Sequence, residues 1–309
     1  MKILYTLFFL ILTGCILTHS QISLYYALTG LQLWFDKMIP ALFPFMILSG
    51  IMVRMHLTEG FSTVLYPVIR PVYHVRKNVC YTMIMGFLCG FPMGARVVAD
   101  LLSRNMISRR EAEFLLAFCN NIGPVYFCSF VLPLLHRKLL FPYLFGMYGI
   151  PLLYGLLLRY TAYRDLNDPK GQLCCCSIPP PPRKKENILE EVDDAISSSI
   201  QSILSLGGYM ILFNLINLIP HILTGRPFVL TAPFLEITGG LSMLADKLPL
   251  YSLMLLPFGG LSCIAQTYSC VKGTGLSIAN YTVHKVVLTA LTAIYYLLWF
   301  LLFPGSFLR

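Results

Sequence analysis

Charge is what this sequence has least of. Only 12% of its 309 residues are Asp, Glu, Lys or Arg, against roughly a quarter in soluble domains, while 57% are hydrophobic and the mean hydropathy is +0.71. That balance excludes a cytosolic enzyme and a disordered scaffold. Catalytic motifs are missing too: there is no His-Glu-x-x-His, Gly-x-Ser-x-Gly, P-loop or dinucleotide fingerprint. Nothing therefore supplies a nucleophile with its base, or a cradle for a nucleotide. The expectation is a non-enzyme without cofactor or metal. Zinc-finger, RNP and basic-helix patterns are also absent, so the net charge of +9 does not point to nucleic acid. Its basic residues lie between apolar runs, where they orient membrane spans. Most cysteines outside the Cys174-Cys175-Cys176 run sit in apolar stretches and read as small buried hydrophobes. That run itself lacks metal-ligand spacing and belongs to a solvated loop.

What is present is a series of apolar runs with interruptions. Ile3 to Thr18 follows a single Lys2 and is either a cleaved signal sequence or a retained first helix. Both readings place the next segment on the far side. Tyr25, Tyr26, Trp34 and Phe35 suit the headgroup level, and the span Met38 to Met55 carries Pro40 and Pro44 in its first part, predicting an irregular entry. Phe61 to Val75 reads as a helix on the membrane surface or as a plain loop. Asn78 to Arg104 is apolar but interrupted at Gly86, Gly90, Pro92 and Gly94. Each arm of about 12 residues covers about 18 Å, little over half the hydrocarbon core of about 30 Å. This predicts a re-entrant hairpin, with Arg76 and Lys77 before it and Arg104, Arg109 and Arg110 after it marking the cytoplasmic side.

The chain then crosses from Glu111 to Pro133, with a break at Asn120-Asn121-Ile122-Gly123-Pro124, and returns through Leu139 to Leu158. Residues 159–194, with six basic residues, seven acids and the Pro179 to Pro182 run, form a cytoplasmic linker. A span from Ala195 to Ile219, a mixed stretch to Leu250, a second interrupted run from Tyr251 to Lys272 and a final span from Leu276 to Phe303 complete the chain. If the second run is also re-entrant, it opens from the outside. With that topology fifteen of the 23 lysines and arginines fall inside and seven outside, Arg96 being left in the first hairpin.

Two stretches align between the halves: Ala41 to Leu48 with Ser205 to Leu212, and Gly90 to Ser108 with Gly259 to Ser277. One copy runs inward and the other outward. The expected fold is thus an all-α polytopic membrane protein of two inverted repeats, each with a re-entrant helical hairpin, the plan of many secondary transporters. Its parts are an N-terminal helix and interfacial segment at 1–37, a first repeat at 38–158, the linker at 159–194 and a second repeat at 195–309. In a competing structural reading the breaks only let helices pack closely.

Gly90-Phe-Pro-Met-Gly-Ala-Arg96, with Asp100, Ile107 to Ala112 and Phe118-Cys-Asn-Asn-Ile-Gly-Pro124, resembles the signature of the YlbJ family of sporulation integral membrane proteins, within the nucleoside-recognition or Gate domain group. The likeness extends to Leu42 to Ser49, Gly259 to Ser262 and Gly273 to Ser277. It implies an endospore-forming bacterium, a role in building the spore cortex, and a fold like the core of concentrative nucleoside transporters. The first hairpin carries Phe91-Pro92-Met93 at its tip instead of the Gln and Glu pair that holds nucleoside in those transporters.

Pro92 fits the first position of a helix starting after Gly90, where a missing N–H costs nothing. Free N–H groups after it, with Arg96 one turn on, predict an anion-favouring site at mid-membrane. At the matching place in the second copy stand Ser262, a good N-cap, and Gln266. The expected cavity-lining residues are Gly90, Pro92, Gly94, Arg96, Asn120, Asn121, Ser262 and Gln266. Arg96 and Asp100, spaced i,i+4, form either part of the site or a structural ion pair. Asn120 and Asn121 either bind a ligand or cap the break, and Asn214 and Asn217 either bind a ligand or join helices. His56, His74 and His136 and the acids Glu236 and Asp246 read as interfacial. The expected partners are membrane lipid, a small polar or anionic solute and other sporulation membrane proteins. Two functions follow, a carrier for such a solute or a non-transporting scaffold for those proteins.

Overall fold

A computed structural model describes residues 2–55, 57, 60, 62–135, 141–167, 188–244 and 247–303. The Cys174 to Cys176 and Pro179 to Pro182 runs, most of the linker expected at 159–194, and His56, His136 and Asp246 lie outside the described residues. Within them all regular structure is helical, as hydrocarbon demands of a chain that must pair its own N–H and C=O groups. Five stretches are long and apolar enough to cross a membrane: Ser20–Arg54, Phe141–Tyr160, Ile188–Thr224, Pro249–Val271 and Ile278–Leu302. The chain is a multi-pass membrane protein.

Helix α1 (Lys2–Thr18) turns at His19 into the 35-residue Ser20–Arg54 stretch. This comprises α2 (Ser20–Leu33), a wide π turn at Trp34–Met38 and α3 (Ile39–Arg54). The irregular entry expected at Pro40 and Pro44 takes the form of that π turn, which absorbs the hydrogen bonds that proline cannot make. Two of the aromatic residues near it turn inward, while Tyr25 and Phe35 stay exposed. Tyr26 is fully buried and bonds His221 Nδ1 at 3.0 Å, and the Trp34 indole donates to Ile203 O at 2.9 Å, so both hold α2 to a later crossing.

A short helix α4 (Tyr66–Tyr73) leads to α5 (Lys77–Cys89) and α6 (Met93–Ser103), 13 and 11 residues long. They pack along one another with the reversal at Gly90, whose φ of +79° is open to glycine. Most side chains of both arms are buried. Helix α7 (Arg109–Phe118) begins with a capping box: Glu111 N donates to Ser108 Oγ at 3.2 Å and Ser108 N to Glu111 Oε2 at 2.7 Å. It ends at the expected break, after which α8 (Pro124–Leu134) continues. Helix α9 (Phe141–Tyr160) returns.

Beyond the linker come α10 (Ile188–Ile216) and α11 (Leu218–Thr224). The stretch read only as mixed holds α12 (Ala232–Leu235) and α13 (Ile237–Leu244). These two fold back on each other so closely that a Cβ on Gly240 would lie 2.2 Å from Pro233 N. Then follow α14 (Pro249–Leu255), α15 (Gly260–Val271) and α16 (Ile278–Leu302).

The second interrupted run differs from the first. Helices α14 and α15 share no interface like that between α5 and α6, and together they are long enough to cross. Tyr251 on α14 donates to Leu230 O, in the loop between α11 and α12, at 2.8 Å, whereas Arg109 at the start of α7 donates to Gly275 O, just after α15, at 2.7 Å. The run therefore passes from one end of the molecule to the other, instead of dipping in and returning. Lys272 then sits at the same end as Arg109, and α16 runs away from it. Tyr295 near the end of α16 bonds Pro142 O, at the start of α9, at 3.2 Å.

The folded-back element of the second half is instead α12–α13. Gly90 touches the α7–α8 break, since its Cβ would fall 2.2 Å from Gly123 N. Gly260, the first residue of α15, lies against the α12–α13 turn, its Cβ position being 3.0 Å from Pro233 O and 3.2 Å from Ile237 N. Each half thus joins a short folded-back pair to an interrupted crossing. The match of Gly90 with Gly259 aligned elements that the fold uses differently.

Candidate functional site

The eight residues expected to line one cavity separate into three groups. Pro92, Arg96 and Gln266 border a cleft of about 300 Å³ between α6, α10 and α15. Gly90 and Gly94 serve close approach. A Cβ on Gly94 would stand 3.0 Å from Asn120 Oδ1 and 3.1 Å from Cys119 O. Asn120, Asn121 and Ser262 are engaged within the protein.

Pro92 precedes α6 as its N-cap, one place earlier than expected, and the N–H groups after it are not free for an anion. Met93 N and Gly94 N donate to Gly90 O at 2.8 and 3.3 Å, and Ala95 N to Asn120 Oδ1 at 3.3 Å. The tight turn at Gly90 and the nearby asparagine satisfy what was expected to remain an open helix end. Ser262 is not an N-cap either. Gly259 caps α15 with φ of +73°, and Ser262, inside the helix, accepts from Gln266 Nε2 at 2.8 Å.

The asparagines take the capping role. Asn120 Nδ2 donates to Thr267 Oγ1 and Tyr281 Oη, both at 3.0 Å, tying the α7–α8 break to α15 and α16. Asn121 donates to Phe118 O. Asn214 on α10 reaches across to the start of α13, donating to Glu236 at 3.1 Å, while Asn217, at the α10–α11 junction, donates to Asn214 O at 3.2 Å.

What remains open is the cleft beside Arg96. The guanidinium, 8% exposed, donates to Ser202 Oγ and, at 2.9 Å, to Ser198 Oγ, and lies 3.9 Å from an Asp100 carboxylate oxygen. Ser198, Ser202, Ser205 and Tyr209 line it from α10. Their spacing of three and four residues puts these hydroxyls on one stripe of an apolar helix. A cation, an acid and a row of hydroxyls can bind a small polar molecule that carries negative charge or many hydroxyls. Gln266 borders this cleft and also a void of about 40 Å³ lined by Phe91, Gly123, Tyr126, Glu236, Thr238 and Cys263. That void has room for about one or two waters.

Two charged residues at the breaks were not among the expected ones. Glu236, 2% exposed and not interfacial, accepts from Thr238 N at 3.0 Å, Gly239 N at 2.6 Å and Asn214 Nδ2 at 3.1 Å. A carboxylate there caps the positive end of α13. Lys285 on α16 is fully buried, and its ammonium donates to Asn120 O and, at 2.8 Å, to Asn121 Oδ1. A lone lysine inside an apolar span is itself a signal of function or of a special structural role. Outside the spans, the Asp165 carboxylate 3.1 Å from Arg110 raises the affinity of that guanidinium for its proton.

Among curated proteins the chain is similar to the sporulation integral membrane protein YlbJ of Bacillus subtilis (strain 168), at 29% identity over 222 residues. That similarity supports an assignment to the YlbJ family. The alignment covers 68% of the chain and 54% of that relative, so the chain spans about half the relative's length. The YlbJ resemblance carried by the Gly90 to Arg96 and Phe118 to Pro124 motifs thus coincides with the folded-back pair and the break it touches. No family model matches the chain, and no solved structure matches it.

Proposed function

We propose that this chain is a carrier-type, non-catalytic membrane protein of sporulation that binds a small polar or anionic solute beside Arg96 and serves construction of the spore cortex. In this reading its halves are inverted repeats of Gate-domain type. The folded-back pairs α5–α6 and α12–α13 are re-entrant hairpins reaching in from opposite faces. The supporting observation is the cleft of about 300 Å³ in which Arg96, Asp100 and the α10 hydroxyls meet at the base of the first folded-back pair. A buried guanidinium with hydroxyl partners is a costly feature in an apolar protein and is of use to a solute.

The alternative, a scaffold for other sporulation proteins, draws support from Asn120, Asn121 and Lys285, whose polar atoms are occupied within the protein. A thermal-shift screen of nucleosides, amino sugars and dicarboxylates on the purified protein distinguishes the two. The carrier reading expects a concentration-dependent rise with one of these classes that is lost in Arg96→Ala and in Ser198→Ala/Ser202→Ala, both still accumulating in the membrane. If both variants accumulate and cells carrying them still build cortex, the scaffold reading stands.

A further inference from the structure

The ammonium of Lys285 has an unusual set of neighbours. It touches a main-chain carbonyl, Asn120 O, and a side-chain amide oxygen, Asn121 Oδ1, at 2.8 Å. It also lies 4.4 Å from the centre of the Phe91 ring and 5.6 Å from that of Tyr281. Among the described residues it makes no ion pair with a carboxylate. Carbonyl and amide oxygens with aromatic faces form a neutral cage suited to a monovalent cation.

The place also calls for positive charge. Helix α7 ends here, and a helix C-terminus carries about half a negative charge on carbonyls without helical partners. In membrane proteins with interrupted helices, such C-terminal ends and unwound carbonyls are where a coupling cation is held. Here the cation arrives on a side chain of α16.

We propose that Lys285 is a tethered cation that fills an alkali-metal-type site at the α7–α8 break, so that the core assembles without sodium or potassium. The site is latent in the native protein and opens to free Na⁺ or K⁺ when the side chain is cut back to alanine. This does not depend on the carrier reading, because it concerns how the break is held together and not what the cleft binds.

The test is thermal unfolding of the purified full chain in sodium, potassium or N-methylglucamine chloride at equal ionic strength. The wild type is expected to unfold at the same temperature in all three. Lys285→Ala in N-methylglucamine is expected to lose about 5 °C or more, the scale of one lost buried interaction, and to regain at least half of that loss, saturably, in sodium or potassium. Lys285→Met, whose chain keeps the space filled, is expected to lose as much and regain none. A wild type stabilised by either alkali cation, or a Lys285→Ala loss that is the same in every salt, overturns the proposal. Should Lys285→Ala not accumulate, Asn121→Asp serves with Lys285 in place. The new carboxylate pairs with the ammonium and the unfolding temperature stays salt-independent, whereas a rise specific to sodium or potassium shows room for a free ion and refutes the tethered one.

Discussion

The α7–α8 and α14–α15 crossings are both interrupted by glycine, each beside a short folded-back pair, yet charge is handled oppositely around them. At the first break the exposed helix end is a C-terminus, and Lys285 meets it with an ammonium. Beside the second, the exposed end is the N-terminus of α13, and Glu236 meets it with a carboxylate. Each sign agrees with the local helix dipole. The comparison teaches that an interrupted helix in hydrocarbon needs a fixed charge of the right sign, and that this protein provides both covalently.

The sharpest way to break the comparison is topological. If the first interrupted run turns back and the second passes through, single cysteines at Asn105 and Thr274 are labelled by an impermeant maleimide from one side, and one at Thr224 only from the other. Labelling of Thr274→Cys together with Thr224→Cys would make the second run re-entrant as well. Next in size is Gly90→Ala. Its Cβ would sit 2.2 Å from Gly123 N at φ of +79°, so the protein is expected to lose about 3 kcal/mol or more, seen as loss of folded protein in detergent. Gly208→Ala, with nothing within 4 Å of its Cβ in the exposed face of α10, is the control and is expected to gain about 0.5 kcal/mol.

Glu236 separates charge from shape. Glu236→Leu leaves two buried N–H groups without an acceptor and the Asn214 amide with only Met210 O, and is expected to cost about 3 kcal/mol, whereas Glu236→Gln keeps one acceptor and is expected to cost about 1. Equal losses would mean that the carboxylate does not cap α13 in the way its hydrogen bonds indicate. The smallest effect expected is that of Ser108→Ala, which removes half of the capping box on α7 at a cost of about 1 kcal/mol, read by thermal unfolding.

Much of this could be read from residue order. Apolar runs gave the crossings, and Asn120 to Pro124 and Gly86 to Gly94 gave the first break and the first turn, because glycine and proline interrupt a helix wherever they stand. What could not be read was which arms fold back. Residues 232–244 hold few apolar positions in a row, and their reversal depends on Gly240 meeting Pro233, a contact set by tertiary packing. The serines of α10 were legible as a stripe once spacing of three and four is applied, but looked unremarkable beside the longer apolar pattern. Lys285, eight residues into the last span, does not stand out when basic residues are counted by side. A rule that averages over loops is blind to a single buried lysine.

Helix α10 with α11 is 37 residues long, about 55 Å if straight, so it outreaches a hydrocarbon layer of about 30 Å. The excess has to emerge or tilt. Its first turns carry Glu190, Glu191, Asp193 and Asp194, and Arg54 at the end of α3 pairs with Asp194 at 3.0 Å. The hydroxyl stripe beside Arg96 starts just beyond those turns. One helix thus joins an acidic foot, tied to the end of α3 through Arg54, to the wall of the cleft deeper along its length.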